Sequence, residues 1–557
     1  MKRILKHIII LMVSLIVLAA IIYIGQYATK LRFKNTTWLR SLTNENQLSF
    51  DDLSKSFQIG LEEQRWPALI SLIPKLRTDI ELQNNLAKLK DAVAIFNDGT
   101  LVSNIITGAD NALTPLKNLD DALKFLENYN LKSINKLHYQ TSNWLSFFGY
   151  ESPKNYFVMF QKSDISRPSG GFLNNYAILG FNQGKMTMTG DTVLDLDDLL
   201  LTKIVPPLPL QSVSNTWFFH DVNWFFDFPT TGKKVLEFYR LTNLKPELDG
   251  VIAINNLVME SILEITGGIQ LKDYNLIIDA QNFSSALFTN DNRDIFSAFI
   301  EQLLIQLKNL SLTQVSQLQN IIINALTTKD IQLYSTDDER EYFFDSYGWA
   351  GKLTESYNDY VAVNFNNLDK NFKTDKREQQ ISLETKMSTS SIINVLTVSS
   401  PALRAEDINK ETYLKIYFPK GIAIINASGG YLKETKNGWP FETLGYQIDD
   451  DISNIENRRI TDSTNSIDIF EESSKTVIGT WAKLSARPFI LTYRLPIETR
   501  DIGNWNLIVQ KQSGQRINFS YNLIPLSDKK IAPTLFEFKK LIPLNQDLNL
   551  NFKIELR

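Results

Sequence analysis

The sequence predicts an α+β multidomain protein with an N-terminal transmembrane helix, a helical stalk or bundle, an α/β domain with a mixed sheet, and a C-terminal β-sandwich. Three observations predict it. A charge-free apolar run extends from Ile8 to Ile24, a helical apolar period fills the segment to about Gly149, and that period disappears after about Asp375 in favour of short alternating segments. The 557 residues exceed what one core serves, and about 100 to 200 residues per domain gives roughly three folded units. With 43% hydrophobic and 22% charged residues, wholesale disorder is excluded. A net charge of -4 leaves no general positive field, so no nucleic-acid partner is expected. Cys 0 excludes disulfides, thiolate nucleophiles and Cys-ligated metals, and three histidines, His7, His138 and His220, exclude a multi-histidine metal site.

Residues 1–34 form the expected membrane anchor. A helix from Ile8 to Tyr27 covers about 30 Å, the thickness of a bilayer's hydrocarbon core. The run is longer than the roughly 7 to 15 apolar residues of a cleaved signal peptide, so an uncleaved anchor is expected. Lys2, Arg3 and Lys6 precede it while Lys30, Arg32 and Lys34 follow, a small bias that keeps the short tail inside. The expectation is a single-pass protein of the cell membrane with the bulk of its chain extracytoplasmic. In 35–150, Leu82, Leu86, Leu89, Val93 and Phe96, and then Leu116, Leu119, Leu123 and Leu126, each draw one apolar stripe along a helix. The same spacing suits self-association through the helical region, with intramolecular packing the plainer reading.

In 151–375, strands are predicted at 156–161, 172–181 and 186–189, then a helix at 231–241, a strand at 248–254 and a helix at 257–265 closed by Gly267-Gly268. Further helices are read at 293–307 and 315–326. Strand, helix, strand, helix in sequence requires at least one parallel pair. In 376–557, the short segments 412–418, 477–481, 489–495, 506–509, 517–523 and 548–554, separated by Gly, Pro, Asn and Asp, predict the sandwich.

Two stretches carry candidate chemistry. In QKSDISRPSGGF (161–172), Gly170 and Gly171 free the backbone amides, and Arg167 beside them matches phosphate or carboxylate oxygens in two-point fashion. The alternative is an ordinary tight turn with Arg167 paired to Asp164. In WFFHDVNWFFDFP (217–229), Asp221, Asn223 and Asp227 alternate with aromatics such as Trp224, so an extended chain would put polar groups on one face and rings against a sugar or lipid on the other. The alternative there is a set of core anchors. His220-Asp221 lacks the G-x-S-x-G elbow of a serine triad. The acidic run Asp191, Asp195, Asp197, Asp198 lacks EF-hand spacing and reads as a solvated loop. No metal site is expected.

RPSGGFLNNYAIL from Arg167, DVNWFFDFPTTGKKVLEFY from Asp221 and LDGVIAINNLVMESILEITGGIQL from Leu248 resemble blocks of the bacterial domain of unknown function 4012 family. The resemblance continues through NRDIFSAFIEQLL from Asn292, YGWAG ending at Gly351 and DYVAVNFNNLDKNFKTD from Asp359. It ends with YLKIYFPKG from Tyr413, LTYRLP ending at Pro496 and NLIVQKQSG from Asn506. The middle domain is more remotely similar to LytR-CpsA-Psr proteins, membrane-anchored enzymes that move lipid-pyrophosphate-linked glycopolymers onto cell wall. That similarity implies a phosphate role for Arg167 and for Arg293. It departs from their pattern at Ser169, where they have aspartate, and in lacking their proline-arginine-aspartate block. The implied substrate-binding set is Arg167, Gly170, Gly171, Asp221, Asn223, Trp224, Asp227 and Arg293, with no catalytic residue or cofactor assigned. The expected function is a membrane-anchored envelope protein that binds a polyprenyl-linked glycan or cell-wall glycopolymer, with transfer left open. The alternative is a non-catalytic surface scaffold.

Overall fold

The computed structural model describes residues 85, 88, 104–105, 108–127, 132–287, 293–368, 377–388, 391–433, 439–496, 503–525, 529–531 and 538–556. The expected anchor, 1–34, lies outside the described residues, as does most of 35–107. Among the described residues, no helix is long and apolar enough to cross a membrane.

The middle sheet is built from β1 (Lys154–Arg167), β2 (Gly170–Asn182), β3 (Lys185–Thr192) and β4 (Gly250–Asn255), in the order β3-β2-β1-β4 with strand Ile331–Ser335 outermost. β1 and β4 run parallel and every other neighbouring pair antiparallel, so the sheet is mixed, as the element order requires. β1 reads YFVMF without polar alternation because both of its faces are covered. Tyr156, Val158 and Phe160 face a cluster shared with Leu116, Leu123, Trp144 and Phe148. Phe157 and Met159 face the opposite cluster, with Trp217, Phe219, Val235 and Phe238. Helices Thr114–Leu126 and Lys132–Phe147 are thus a layer of the middle domain, so this described part of the expected stalk does not stand free.

Local chemistry fixes the helix ends. Helix Phe228–Leu241 starts where the Asp227 carboxylate accepts the Thr230 amide and Pro229 occupies the first turn. Helix Asn256–Thr266 starts at the Asn255 cap and ends at Gly267, whose φ of 80° suits a residue without Cβ.

Two sheets follow. One has six strands, in the order Ala423–Ser428, Phe489–Arg494, Ile392–Ser399, Gln379–Met387, Ile517–Pro525, Phe538–Pro543. Gln379–Met387 and Ile517–Pro525 bury alternate residues, the period-two signature of a sheet with one covered face. The second sheet has nine strands. One apolar cluster takes Leu383, Leu396 and Phe519 from the first sheet and Val363, Ile416 and Leu507 from the second. Strand Asp359–Asn366, which the sequence places with the α/β segment, lies in the nine-stranded sheet between Thr412–Phe418 and Asn504–Val509. The middle domain therefore ends before residue 359, not at 375.

Candidate functional site

The β1–β2 hairpin closes with Arg167 opposite Gly170 and Ser166 opposite Gly171. Its glycines answer to crowding. At Gly170 the φ is 149° and an added Cβ would meet the Gln161 side-chain oxygen at 2.2 Å; at Gly171 it would meet the Lys162 carbonyl at 2.3 Å. The Gly171 carbonyl is also occupied, accepting from Asn223 Nδ2 at 2.7 Å.

Arg167 points inward and is 2% exposed. Its Nε donates to Asp221 Oδ1 at 2.6 Å, and its Nη1 donates to the Ser166 carbonyl at 3.2 Å and to the Asn367 carbonyl. The guanidinium lies 5.3 Å from the Phe172 ring centroid. Of the sequence readings, neither the open anion cradle nor the pair with Asp164 is what the geometry shows: the partner is Asp221, 54 residues away. Asp221 also faces His220 Nε2 at 3.5 Å, and His220 Nδ1 lies 2.5 Å from Asp197 Oδ2. The residues form a chain, Arg167–Asp221–His220–Asp197, buried at its Arg167–Asp221 end. Burial works against the Asp221 carboxylate, but Arg167 and His220 outweigh it and hold its pKa below the usual range. Burial likewise works against the His220 imidazolium, and Asp221 with Asp197 outweighs it, so that pKa is raised. Arg167 and Asp221 compensate one another, and an incoming anion would compete with Asp221 for the guanidinium.

The aromatic stretch is core. Trp217 (1% exposed), Trp224 (4%) and Phe225, Phe226 and Phe228 are all buried, and Trp217 Nε1 donates to the Asp221 carbonyl at 2.9 Å. Trp224 stacks on Tyr413 of the nine-stranded sheet, with centroids 6.3 Å apart and planes 16° apart. Lys415 sits 5.3 Å from the Trp224 ring, donates to the Trp224 carbonyl at 3.3 Å, and pairs with Glu472, which accepts the Phe226 amide at 3.3 Å. Asn223 is fully buried. Asp227 caps its helix and accepts the Leu353 amide at 2.9 Å. This segment joins the middle domain to the C-terminal sheets, and of its Phe and Trp rings Phe218, stacked on His220, is the one left partly exposed. Arg293 opens helix Arg293–Lys308, and its side chain lies outside the described residues. Among the described residues, no cluster of three His, Asp or Glu is placed to hold a metal.

A second joint escaped the sequence reading. The 510–513 segment, Gln-Lys-Gln-Ser, is almost wholly buried. Gln512 Nε2 donates to the carbonyls of Arg167 (2.9 Å) and Phe365 (3.0 Å), and its Oε1 accepts the Phe365 amide at 2.8 Å. Lys511 Nζ donates to the Thr328 carbonyl at 2.9 Å and lies 3.3 Å from Asp330, which also accepts the Gly514 amide at 3.0 Å. The only available signal was an unusual density of amide side chains around one glycine. Beside this joint lies a recess of about 50 Å³ lined by Ser163, Asp164, Glu260, Arg377, Gln515 and Arg516, room for one or two waters.

Residues 151–290 match the family model for a protein of unknown function, DUF4012. No curated protein matches the chain. A crystal structure described as the transcriptional regulator yvhJ from Bacillus subtilis is similar at 11% identity over 36% of this chain and 97% of that one, with a TM-score of 0.18, a likeness too slight to carry an argument.

Proposed function

We propose that this chain, which carries a DUF4012 region, is a membrane-anchored extracytoplasmic envelope protein that works as a non-catalytic scaffold. The observation behind this reading is the state of the Arg167 side chain: 2% exposed and bonded to Asp221 at 2.6 Å. The cation that the LytR-CpsA-Psr resemblance assigns to a pyrophosphate is a structural ion-pair partner. Burial of Trp217, Trp224, Phe225, Phe226 and Phe228, rings that would cover a sugar or prenyl chain, points the same way. On this reading the 8–27 helix anchors the chain, the two C-terminal sheets act as a β-sandwich, and the domains are held as one body above the membrane.

The deciding experiment offers polyprenyl-pyrophosphate glycans to the wild-type chain and to Arg293→Ala, scoring binding and transfer. The scaffold reading expects no transfer and the same weak binding in both. Transfer by the wild type that is lost in Arg293→Ala, with an unchanged melting temperature, would replace the scaffold by a transferase. A reporter fused at the C-terminus tests the topology, and activity confined to the cytoplasm would overturn the extracytoplasmic placement.

A further inference from the structure

The outer face of the nine-stranded sheet is covered by the middle domain around Trp224 and Phe226 and is open farther along. Strands Asn504–Val509 and Leu548–Leu556 turn Trp505, Leu507, Leu550 and Phe552 inward, so alternation puts Asn504, Asn506, Asn549 and Asn551 on the outer side, with Asn506 paired opposite Asn551. Their amides hold one another. Asn506 Nδ2 donates to Asn549 Oδ1 at 2.6 Å and to Asn551 Oδ1 at 3.0 Å, and Asn551 Nδ2 donates to Asn549 Oδ1 at 2.9 Å. Asn504, Asn549 and Asn551 are exposed. Asn506 Oδ1, Asn549 Nδ2 and the Asn504 side-chain amide have no hydrogen-bond partner among the described residues.

Residues 353–358 run beside this array. Leu353 packs with Ile508 and Tyr360, the Thr354 amide donates to Gln510 Oε1 at 3.1 Å, and the Asn506 amide donates to Asn358 Oδ1 at 2.9 Å, so both ends of the loop are fastened along 506–510. Tyr357, one residue before the contact with Asn506, is 97% exposed. The charged side chains described on the two strands and the loop are Lys553, opposite Asn504, and Glu355, one of each sign.

We infer that this face binds an uncharged polysaccharide chain. A sugar hydroxyl is donor and acceptor at once, and the unmet amide N–H and C=O groups offer both in return. Tyr357 supplies an open ring for the apolar side of a sugar. The mutual bonds fix the amide rotamers beforehand, so less side-chain freedom is lost on binding. A polyanion gains little here, because Glu355 offsets Lys553. The inference rests on the envelope-scaffold reading and names what the scaffold holds, on residues separate from Arg167 and Arg293.

Full-length chains in detergent are run through native gels cast with dextran, soluble starch, mannan or galactan. At least one of the four is expected to retard the wild type. Tyr357→Ala and Asn549→Ala, both at exposed positions, are expected to lose affinity several-fold with an unchanged melting temperature, while Lys553→Ala and raised salt leave the retardation as it was. No retardation by any of the four overturns the proposal. Equal retardation of the wild type and both variants overturns it too, by putting the contact elsewhere. Stronger retardation by dextran sulfate, abolished by salt or by Lys553→Ala, would make the partner a polyanion and overturn the assigned class. Glycan transfer lost in Arg293→Ala would sink the scaffold reading without altering the retardation, and a chain that is not retarded leaves the transfer result standing, so the two failures are distinguishable.

Discussion

At the scale of single residues, charge burial decides what the conspicuous side chains do. Arg167 and Asp221 are 2% and 7% exposed at the side chain, so removing either strands the other without water. Arg167→Met is expected to cost about 3 to 5 kcal/mol, and the double change with Asp221→Asn clearly less than the sum of the two single ones, measured as urea midpoints in a double-mutant cycle. Additive costs would show that the pair is not coupled. Asp359 gives a second test, in pH. It is fully buried, and burial lifts its pKa to about 7 against the bonds from Asn394 and the Tyr360 amide. Unfolded, the carboxyl ionises near 4; folded, it keeps its proton until about 7. Its contribution to stability is therefore complete below about pH 4 and is lost as pH rises through 7, a loss on the order of 4 kcal/mol at most. His220, with its raised pKa, adds a fall in the same direction above its unfolded value. Asp359→Asn is expected to flatten the Asp359 part alone, so the wild type should lose more stability than the variant between pH 5 and pH 8. Equal losses would place the carboxylate in water.

Elements were legible from the sequence where one short-range signal sufficed. The Asn255 cap and Gly267 stop bound helix Asn256–Thr266 within a residue of the 257–265 expectation, and the parallel β1–β4 pair follows from element order alone. The 151–375 boundary takes in strand Asp359–Asn366, which pairs within the nine-stranded sheet, because all eight of its residues are buried and such a run looks the same in any doubly covered sheet. Arg167 was misread for a different reason: its partner is distant in sequence, and an Arg-Pro-Ser-Gly-Gly turn looks alike whether its cation faces water or a carboxylate. Least legible was the 510–513 segment, since a polar stretch after a strand ordinarily runs over the surface. Its burial is tolerable only because its amide side chains satisfy backbone groups of both domains. Gln512→Ala would leave the Phe365 amide and the Arg167 and Phe365 carbonyls without these bonds, at about 1 to 3 kcal/mol for each group left unsatisfied. The expected result is a lower urea midpoint together with faster hydrogen exchange at the Phe365 amide. Unchanged exchange there would mean that the segment does not hold the joint.

For the molecule as a whole, the question is whether the middle domain and the C-terminal sheets unfold separately. Their apolar clusters are shared: Tyr413 and Trp481 of the nine-stranded sheet pack with Trp217 and Trp224, while Phe226 and Leu353 pack with Tyr360, Tyr417 and Phe470. Trp224, Phe226, Tyr360, Tyr413 and Tyr417 are each between 0% and 4% exposed. A large aromatic buries about 150 to 250 Å² each, so losing one domain would expose much of this surface on the survivor. Polar ties reinforce the seam, among them Lys415 Nζ to the Trp224 carbonyl at 3.3 Å, Lys234–Asp449 at 2.7 Å and Lys511–Asp330 at 3.3 Å. The described domains should therefore melt in one calorimetric transition, with van't Hoff and calorimetric enthalpies in agreement. Trp224→Ala removes the side chain that stacks on Tyr413 and supports Lys415, a change worth about 3 to 5 kcal/mol. Because that loss falls on the seam, it should both lower the midpoint and split the transition in two. A buried tryptophan lost from one domain's private core would lower the midpoint and leave the transition single. Two resolved transitions in the wild type would mean that the shared clusters do not couple the domains.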